Sequence, residues 1–532
     1  MVSDINKAQF SLLYPEGVPA APAMKLSAAA ADDLCLSEHF RMKSASLSEF
    51  FTCSPDVIEY RQQSVKDVMN VPEALAALKK CVPVMADIAD LRRLSQDADS
   101  ADSYLYGITE VELYQSLLEI LSNDLLPQRE RLESSAMRTL CDRVEELTNS
   151  EYCKKINSLL TELTYRVREI KSVTVGVNLD GRLFPESAGL LSVNAEPFRS
   201  GQTLDKILKL DFKQNENSFI APMAKASKTF TDPEAEALRR STLSALGSVF
   251  KSGFKSWKRI VRTYVLENTD FLMGVLPEIE FLSLAGTYLS SLAEKGVKLC
   301  FPKVYPDGKI LRAKGLVNPR IALATDSEMV PNDVDFDENA GIYVITGPNR
   351  GGKSVFTCAV GLAVMTASLG LPVCADEFEM SACDNVFCHF PNGEDDTVEK
   401  GRLGEECARL SDIVAGVTGQ SLVLLDESLS STGSYEAAAI AEEVLAGLSA
   451  AGCRAIFSTH LHALAAAVPA INGRCAALGG VKIDNLVADI SAGVRSFKVE
   501  RRAPEGKSYA SDIAEKYGLS LDSILKKVRE HE

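Results

Sequence analysis

From Leu34 to Ser172 apolar residues recur at spacings of three and four, as in Val57, Tyr60, Val65, Val68 and Met69, and glycines are few. That period predicts a succession of antiparallel helices. Helix starts are marked by Ser54-Pro55 ahead of DVIEYRQQSVKDVM and by Asn70-Val71-Pro72 ahead of EALAALKKC, where a capping residue precedes a proline suited to the first turn. The period changes at SVTVGVNLDGRLFPESAGLLSVN, Ser172 to Asn194, where β-branched and polar residues alternate around Asp180-Gly181. A β-hairpin is expected there. After a polar stretch around Gln202 to Ser218, helical periodicity resumes at Thr231 and runs towards Gly296, so the helical region is split by an insertion. From Cys300 the chain turns strand-rich and then alternates helix and strand to about Val499, the alternation of an α/β domain. An amphipathic helix, SDIAEKYGLSLDSILKKVREHE, ends the chain.

Length and composition refine this picture. A chain of 532 residues exceeds what one hydrophobic core organises, so several domains are expected. No secretory leader pattern opens the sequence. The nearest approach to a membrane span, Ala359 to Ala375, is slightly short and contains Pro372, which favours a buried helix. The thirteen cysteines include no C-x-x-C pair and read as reduced thiols of a cytoplasmic protein. A net charge of −16 argues against a surface that coats nucleic acid generally, while leaving room for a local basic track. One such candidate exists. On the predicted helix around Trp257, Phe250, Phe254, Val261 and Tyr264 form an apolar stripe, and Lys251, Lys255, Lys258, Arg259 and Arg262 take the other face. The arrangement fits a solvated face over a core stripe as well as a track for a phosphate backbone.

The chemistry is concentrated after residue 340. GIYVITGPNRGGKS matches G-x-x-x-x-G-K-[ST], with Gly347, Gly352, Lys353 and Ser354 at the defining positions. A strand leads into this loop and a helix leads out, so backbone N–H groups and the helix N-terminus converge on phosphate. Lys353 is expected to neutralise the β and γ phosphates of ATP, and Ser354 to ligate Mg²⁺. Further on, SLVLLDES reads as a buried strand ending in two carboxylates. Asp426 would complete the Mg²⁺ shell, and Glu427 would orient and polarise the attacking water. A third strand, RAIFSTH, ends in His460, placed to contact the γ-phosphate. His462 has no assigned role.

Together TGPNRGGKS, SLVLLDESLSSTGSYEA and FSTHLHAL resemble the MutS family of DNA mismatch-repair ATPases, relatives of the ABC-type ATPases. Pro348-Asn349 inside the loop is the distinguishing mark. VNPRIAL and VPNDV look like the family's lead-in to the loop, which implies that Asn332 lies beside the nucleotide base and that Gly351 and Val355 share in nucleotide binding. FFTCSPDVIEYRQQSVKDVM resembles the start of the family's helical core, and GKSYASDIAEKYGLSLDSILKKVRE its closing segment. The implied architecture is multidomain. An all-α core and lever domain at 34–298, interrupted at about 172–218 by a clamp-like β-hairpin insertion, follows an N-terminal segment at 1–33. An α/β ABC-type P-loop ATPase domain occupies 299–500, and a helical segment 501–532.

The resemblance also implies a homodimer in which each ATP site is completed by the other subunit, with DNA and repair proteins as partners and no membrane. The sequence departs from the family's pattern where that seam is expected. EKGRLGEE carries no hydroxyl residue, which leaves Gly401 and Arg402 as the trans contacts, and the small, basic, glycine-containing turn after the acid pair is replaced by Ser428-Leu429-Ser430-Ser431. Ser430 and Ser434 would lie at the seam. The family's mismatch-reading domain is not expected in the roughly thirty residues ahead of the helices, and Phe336-Asp337-Glu338, which matches its Phe-x-Glu element, precedes the loop strand. The leading expectation is thus a MutS-like ATPase that couples ATP to mismatched, branched or distorted DNA. The alternative is a nucleotide-switched assembly ATPase acting on a protein or ribonucleoprotein partner.

Overall fold

The computed structural model describes residues 10–18, 33–96, 102–151, 153–154, 171–182, 185–196, 270–337, 340–348, 351–390, 402–491 and 494–504, with 24, 30, 523 and 524 besides. Its longer helices are α1 (Pro55–Asn70), α2 (Pro72–Gln96), α3 (Asp102–Ile120), α4 (Ser135–Asn149), α5 (Leu276–Glu294), α6 (Lys353–Ser368), α7 (Arg402–Gly416), α8 (Ser434–Ala451) and α9 (His462–Ala476). The strands are β1 (Ser172–Leu179), β2 (Pro185–Asn194), β3 (Lys303–Tyr305), β4 (Leu311–Leu316), β5 (Asn332–Phe336), β6 (Ile342–Thr346), β7 (Glu377–Ser381), β8 (Val386–His389), β9 (Leu422–Asp426), β10 (Arg454–Ser458), β11 (Ile483–Ser491) and β12 (Val494–Arg501). Both α1 and α2 open on a proline, whose missing N–H costs nothing in a first turn.

Two compact units divide the chain between α1 and α2 and again inside α5, after Glu280. In the first unit, α2, α3 and α4 bury Leu78, Met85, Tyr114, Leu117, Met137 and Leu140. β1 and β2 pair antiparallel from Ser172↔Asn194 to Leu179↔Pro185, and the carboxylate of Asp180 accepts from the Arg182 N–H at 2.8 Å in the turn. The segment 201–269, with the basic face, lies outside the described residues.

The second unit, Ser11–Asn70 with the residues from Phe281 onward, holds a six-stranded sheet in the order β12-β11-β6-β10-β9-β8. β11, β6, β10, β9 and β8 run parallel, and β12 is antiparallel to β11. Every residue of β6, β9 and β10 is buried, as a parallel sheet covered on both faces requires. Ile342, Val344, Val423, Leu425 and Phe457 share a core with Ala441, Leu445, Leu464 and Val468 of α8 and α9. The opposite face carries α6. A Cβ on Gly361 of that helix would stand 2.5 Å from Leu424 and 3.1 Å from Leu34, so α6 is pressed between the sheet and the N-terminal segment. Burial on both sides explains why the sequence there is apolar all round. No helix among the described residues is long and apolar enough to cross a membrane.

Polar clasps fasten the edges of this unit. Arg61 of α1 is wholly buried, donates to the carbonyls of Leu13 and Phe50, and lies 4.6 Å over the Tyr14 ring. A four-stranded sheet, β3-β7-β4-β5, draws three strands from before the loop strand in sequence and β7 from after it. The buried guanidinium of Arg454 ties it to the large sheet, donating to the carbonyls of Ile310, Ser381, Ala382 and Gln420 at 2.8–3.3 Å. None of the thirteen cysteines forms a disulfide. Replacing Arg454 by Met keeps the stem and removes the charged donor from all four carbonyls. The expected loss is about 3 kcal/mol or more, since hydrogen bonds from a charged group contribute roughly 1.5–3 kcal/mol each. Urea unfolding measures it, and a change below about 1 kcal/mol would show the clasp to be dispensable.

Candidate functional site

The site grows from three strand ends at one edge of the parallel sheet. β6 ends at Thr346, and the chain turns through Gly347, which takes φ 143°. A side chain there would meet the Cβ of Ala488 at 2.8 Å and its carbonyl oxygen at 2.9 Å, so only glycine fits. Gly352, at φ 97°, caps the start of α6. Its left-handed backbone turns the loop into the helix, and the free N–H groups of the first helical turn gather at this point. Lys353 is 3% exposed, and its ammonium donates to the carbonyls of Gly347 and Pro348, each at 3.1 Å. Burial lowers its pKa, and Glu427 and Asp426 oppose that shift. Asn349 and Arg350 lie outside the described residues.

β9 delivers the acid pair. Asp426 is 4% exposed, and its Oδ1 has no hydrogen-bond partner among the described residues. Burial raises its pKa, the hydroxyls of Ser354 and Ser458 pull it back, Glu427 raises it further and Lys353 lowers it. Glu427 is half-buried and takes φ 47°, and Leu429, wholly buried, takes φ 66°. Left-handed conformations cost a non-glycine residue about 1–3 kcal/mol each and persist where the surroundings over-determine them. The Glu427 N–H is fixed by the Ser458 carbonyl at 2.8 Å, across the gap to β10. β10 ends in buried Ser458, and buried Thr459 and exposed His460 follow. His462, half-buried, has its pKa lowered by burial and then by Lys353 and His460, which sets that imidazole in the field of the loop lysine.

A cavity of about 730 Å³ opens beside the loop, and Gly351, Gly352, Lys353, Ser354, Val355 and Glu427 line its loop end. Its other end is formed by Leu316, Ile321, Met329, Val330, Asn332 and Phe497. Asn332 lines the cavity, with its amide committed to β12: Oδ1 accepts from the Val499 N–H at 2.8 Å, and Nδ2 donates to the Phe497 carbonyl at 3.1 Å. The side chain therefore holds the strand that carries Phe497. That phenyl, 45% exposed, belongs to a residue at φ 57° beside Gly352. No local pattern announces Phe497, because its partners lie about 150 residues earlier in the chain. Gly401 lies outside the described residues, Arg402 opens α7, Ser430 is exposed in the turn ahead of α8, and Ser434 is exposed at the start of that helix.

Residues 343–530 match the family model described as MutS domain V, and residues 53–295 that described as the MutS2 N-terminal domain. The chain belongs to the MutS family. The family's DNA mismatch repair protein MutS from Roseiflexus castenholzii is 29% identical over 290 residues, 51% of this chain and 26% of that protein. Its counterpart from Halothermothrix orenii is 28% identical over 307 residues, 56% of this chain and 33% of its own. DNA mismatch repair protein spellchecker 1 of Drosophila melanogaster is 24% identical over 426 residues, 77% of this chain and 45% of its own. The chain thus spans less than half the length of each of these relatives.

Asp426 carries a stability cost with a definite pH signature. With its pKa raised above the unfolded value, Asp426 holds its proton more tightly in the folded chain. Stability from this group therefore falls as pH rises from the ordinary aspartate range through the raised value, and the ionised form penalises the fold at neutral pH. Asp426→Asn is expected to unfold at a higher urea concentration than the parent at neutral pH, with the advantage vanishing in acid where both are uncharged. An Asn variant less stable than the parent at neutral pH would contradict the sign.

Proposed function

We propose that this chain is a MutS-like, Mg²⁺-dependent ATPase that works as a dimer and couples ATP binding and hydrolysis to its grip on mismatched, branched or distorted DNA. The observation that carries this reading is the delivery of a glycine loop, an acid pair and a histidine to one edge by the adjacent parallel strands β6, β9 and β10. In open α/β sheets, ligands bind at the carboxyl ends of the strands. Loop N–H groups from Gly347 to Gly352 and the N-terminus of α6 would cradle the β and γ phosphates, with Lys353 as the neutralising charge. The apolar end of the cavity suits the base, with Phe497 offering an aromatic face and Asn332 holding it there.

The donors suit magnesium. Among the described residues no cluster of three or more His, Cys, Asp or Glu forms a cage, and Mg²⁺ at such sites takes one or two carboxylates with substrate phosphates and water. Ser354 and the unpartnered Oδ1 of Asp426 supply a hydroxyl and a carboxylate oxygen. The bound ion would neutralise charge developing on the phosphates. Glu427 would hold the attacking water and take its proton, while His460 would contact the γ-phosphate. Gly401, Arg402, Ser430 and Ser434 are the residues proposed to complete the partner's site. Lys251, Lys255, Lys258, Arg259 and Arg262 are proposed to face DNA.

Steady-state hydrolysis and nucleotide binding test the reading. Glu427→Gln is expected to cut turnover by about 10²- to 10⁴-fold, the usual worth of a general base, while still binding ATP. Lys353→Ala is expected to lose binding and turnover together. Retained turnover in Glu427→Gln would remove that residue from its role. The DNA part is tested by the ATPase rate with and without homoduplex, mismatched and branched DNA. Stimulation that weakens with salt is expected, and no response to any of the three would leave a nucleotide switch without DNA coupling.

A further inference from the structure

The turn after Glu427 lacks the glycine that two left-handed residues call for. The run from Glu427 to Thr432 contains none, yet Glu427 and Leu429 both take positive φ. Three anchors hold it. The Glu427 N–H reaches the Ser458 carbonyl at the end of β10, and Leu429 is sunk in the core under α8. The third comes from a strand that the site's chemistry does not otherwise use. β8 runs parallel to β9 with His389 level with Leu425, so its imidazole stands beside the residues that follow β9. Nδ1 of His389 lies 2.7 Å from the Ser428 hydroxyl, and both side chains are 3% exposed. Nε2 is buried with no hydrogen-bond partner among the described residues. The Ser428 bond is thus the polar contact by which the ring is fixed.

We infer that His389 is a positioning residue for hydrolysis, holding the Glu427 turn through its hydrogen bond to Ser428. The inference rests on the assignment of Glu427 as the base in the proposed ATPase. Ser428 follows Glu427 directly, so pinning its side chain to β8 fixes the rotation of the peptide that carries the carboxylate. The glycine loop leaves from β6, separated from β8 by β10 and β9, and does not depend on this bond. Loss of the bond should therefore act on turnover and spare nucleotide binding.

The test uses the full-length chain with Ser428→Ala, His389→Ala, His389→Asn and the double variant Ser428→Ala/His389→Ala, each measured for kcat, ATP affinity and thermal unfolding. Both alanine variants are expected to lose about 10- to 100-fold in kcat, the scale of a catalytic group displaced by an ångström. Affinity for ATP is expected to stay within about twofold. The double variant should be no slower than the slower single one, because both remove the same bond. His389→Asn, which keeps a polar atom near the position of Nδ1, should recover most of the rate. Ser428→Ala removes a single oxygen, so it decides the matter if His389→Ala fails to fold. A parental kcat in Ser428→Ala, or losses of affinity that match those of kcat, would overturn the inference. If Glu427→Gln is inactive while Ser428→Ala matches the parent, this inference alone fails. A parent chain without ATP turnover would remove the proposed function and this inference with it.

Discussion

Ser458 stands level with Ile345 on one side and Asp426 on the other, and His389 stands level with Leu425. That register, set by main-chain hydrogen bonds between parallel strands, is what the rest of the site depends on. Side-chain direction alternates along a strand and a one-residue slip would reverse it, so each strand's apolar face also fixes where its last residue points. Val423 and Leu425 face the core under α8 and α9, while Leu424 faces α6. Asp426 is therefore directed to the α6 side, where Ser354 and Lys353 begin the helix. Burial of three or four apolar residues per strand thus sets the acid pair against the loop.

The parts of this arrangement that were legible in the sequence are those in which a local pattern and its flanks agree. The glycine loop could be read because a buried strand precedes it and an apolar helix follows, and the acid pair because four apolar residues lead into it. The starts of α1 and α2 were legible from proline after a capping residue, and the hairpin from its alternation around Asp180-Gly181. Asn332 was marked as a nucleotide neighbour by resemblance, but its hydrogen bonds run to Phe497 and Val499, residues about 165 positions away. Contacts of that range leave no periodic trace. Phe497 and His389 were missed for the same reason: each owes its place to strand order, which propensity and spacing do not encode.

The left-handed conformations show a second limit of local reading. Positive φ is ordinarily signalled by glycine, as at Gly347 and Gly352, where contact with Ala488 and the turn into α6 explain the residue. Glu427 and Leu429 give no such signal. Their conformation comes from anchors outside the turn, and only the three-dimensional structure reveals them. Departure from the glycine-containing pattern moved the burden of shaping the turn from its own backbone to β8, β10 and the core.

That transfer has a consequence for stability. The site gathers a buried ammonium, a buried carboxylate with a free oxygen and two left-handed residues in one region, each unfavourable to the folded state by itself. Something rigid must offset them. The second unit supplies it in apolar form, through α6 pressed between Leu34 and Leu424, and in polar form, through Arg61 and Arg454, whose guanidiniums donate to the backbone on buried seams. Neither arginine touches the cavity. Their work is to keep the N-terminal segment and the small sheet fixed against the large one, so that the strand ends cannot relax towards lower strain. The residues that hold the site are thus spread from Leu13 to Val499, whereas those that give it chemistry are confined to a few short loops.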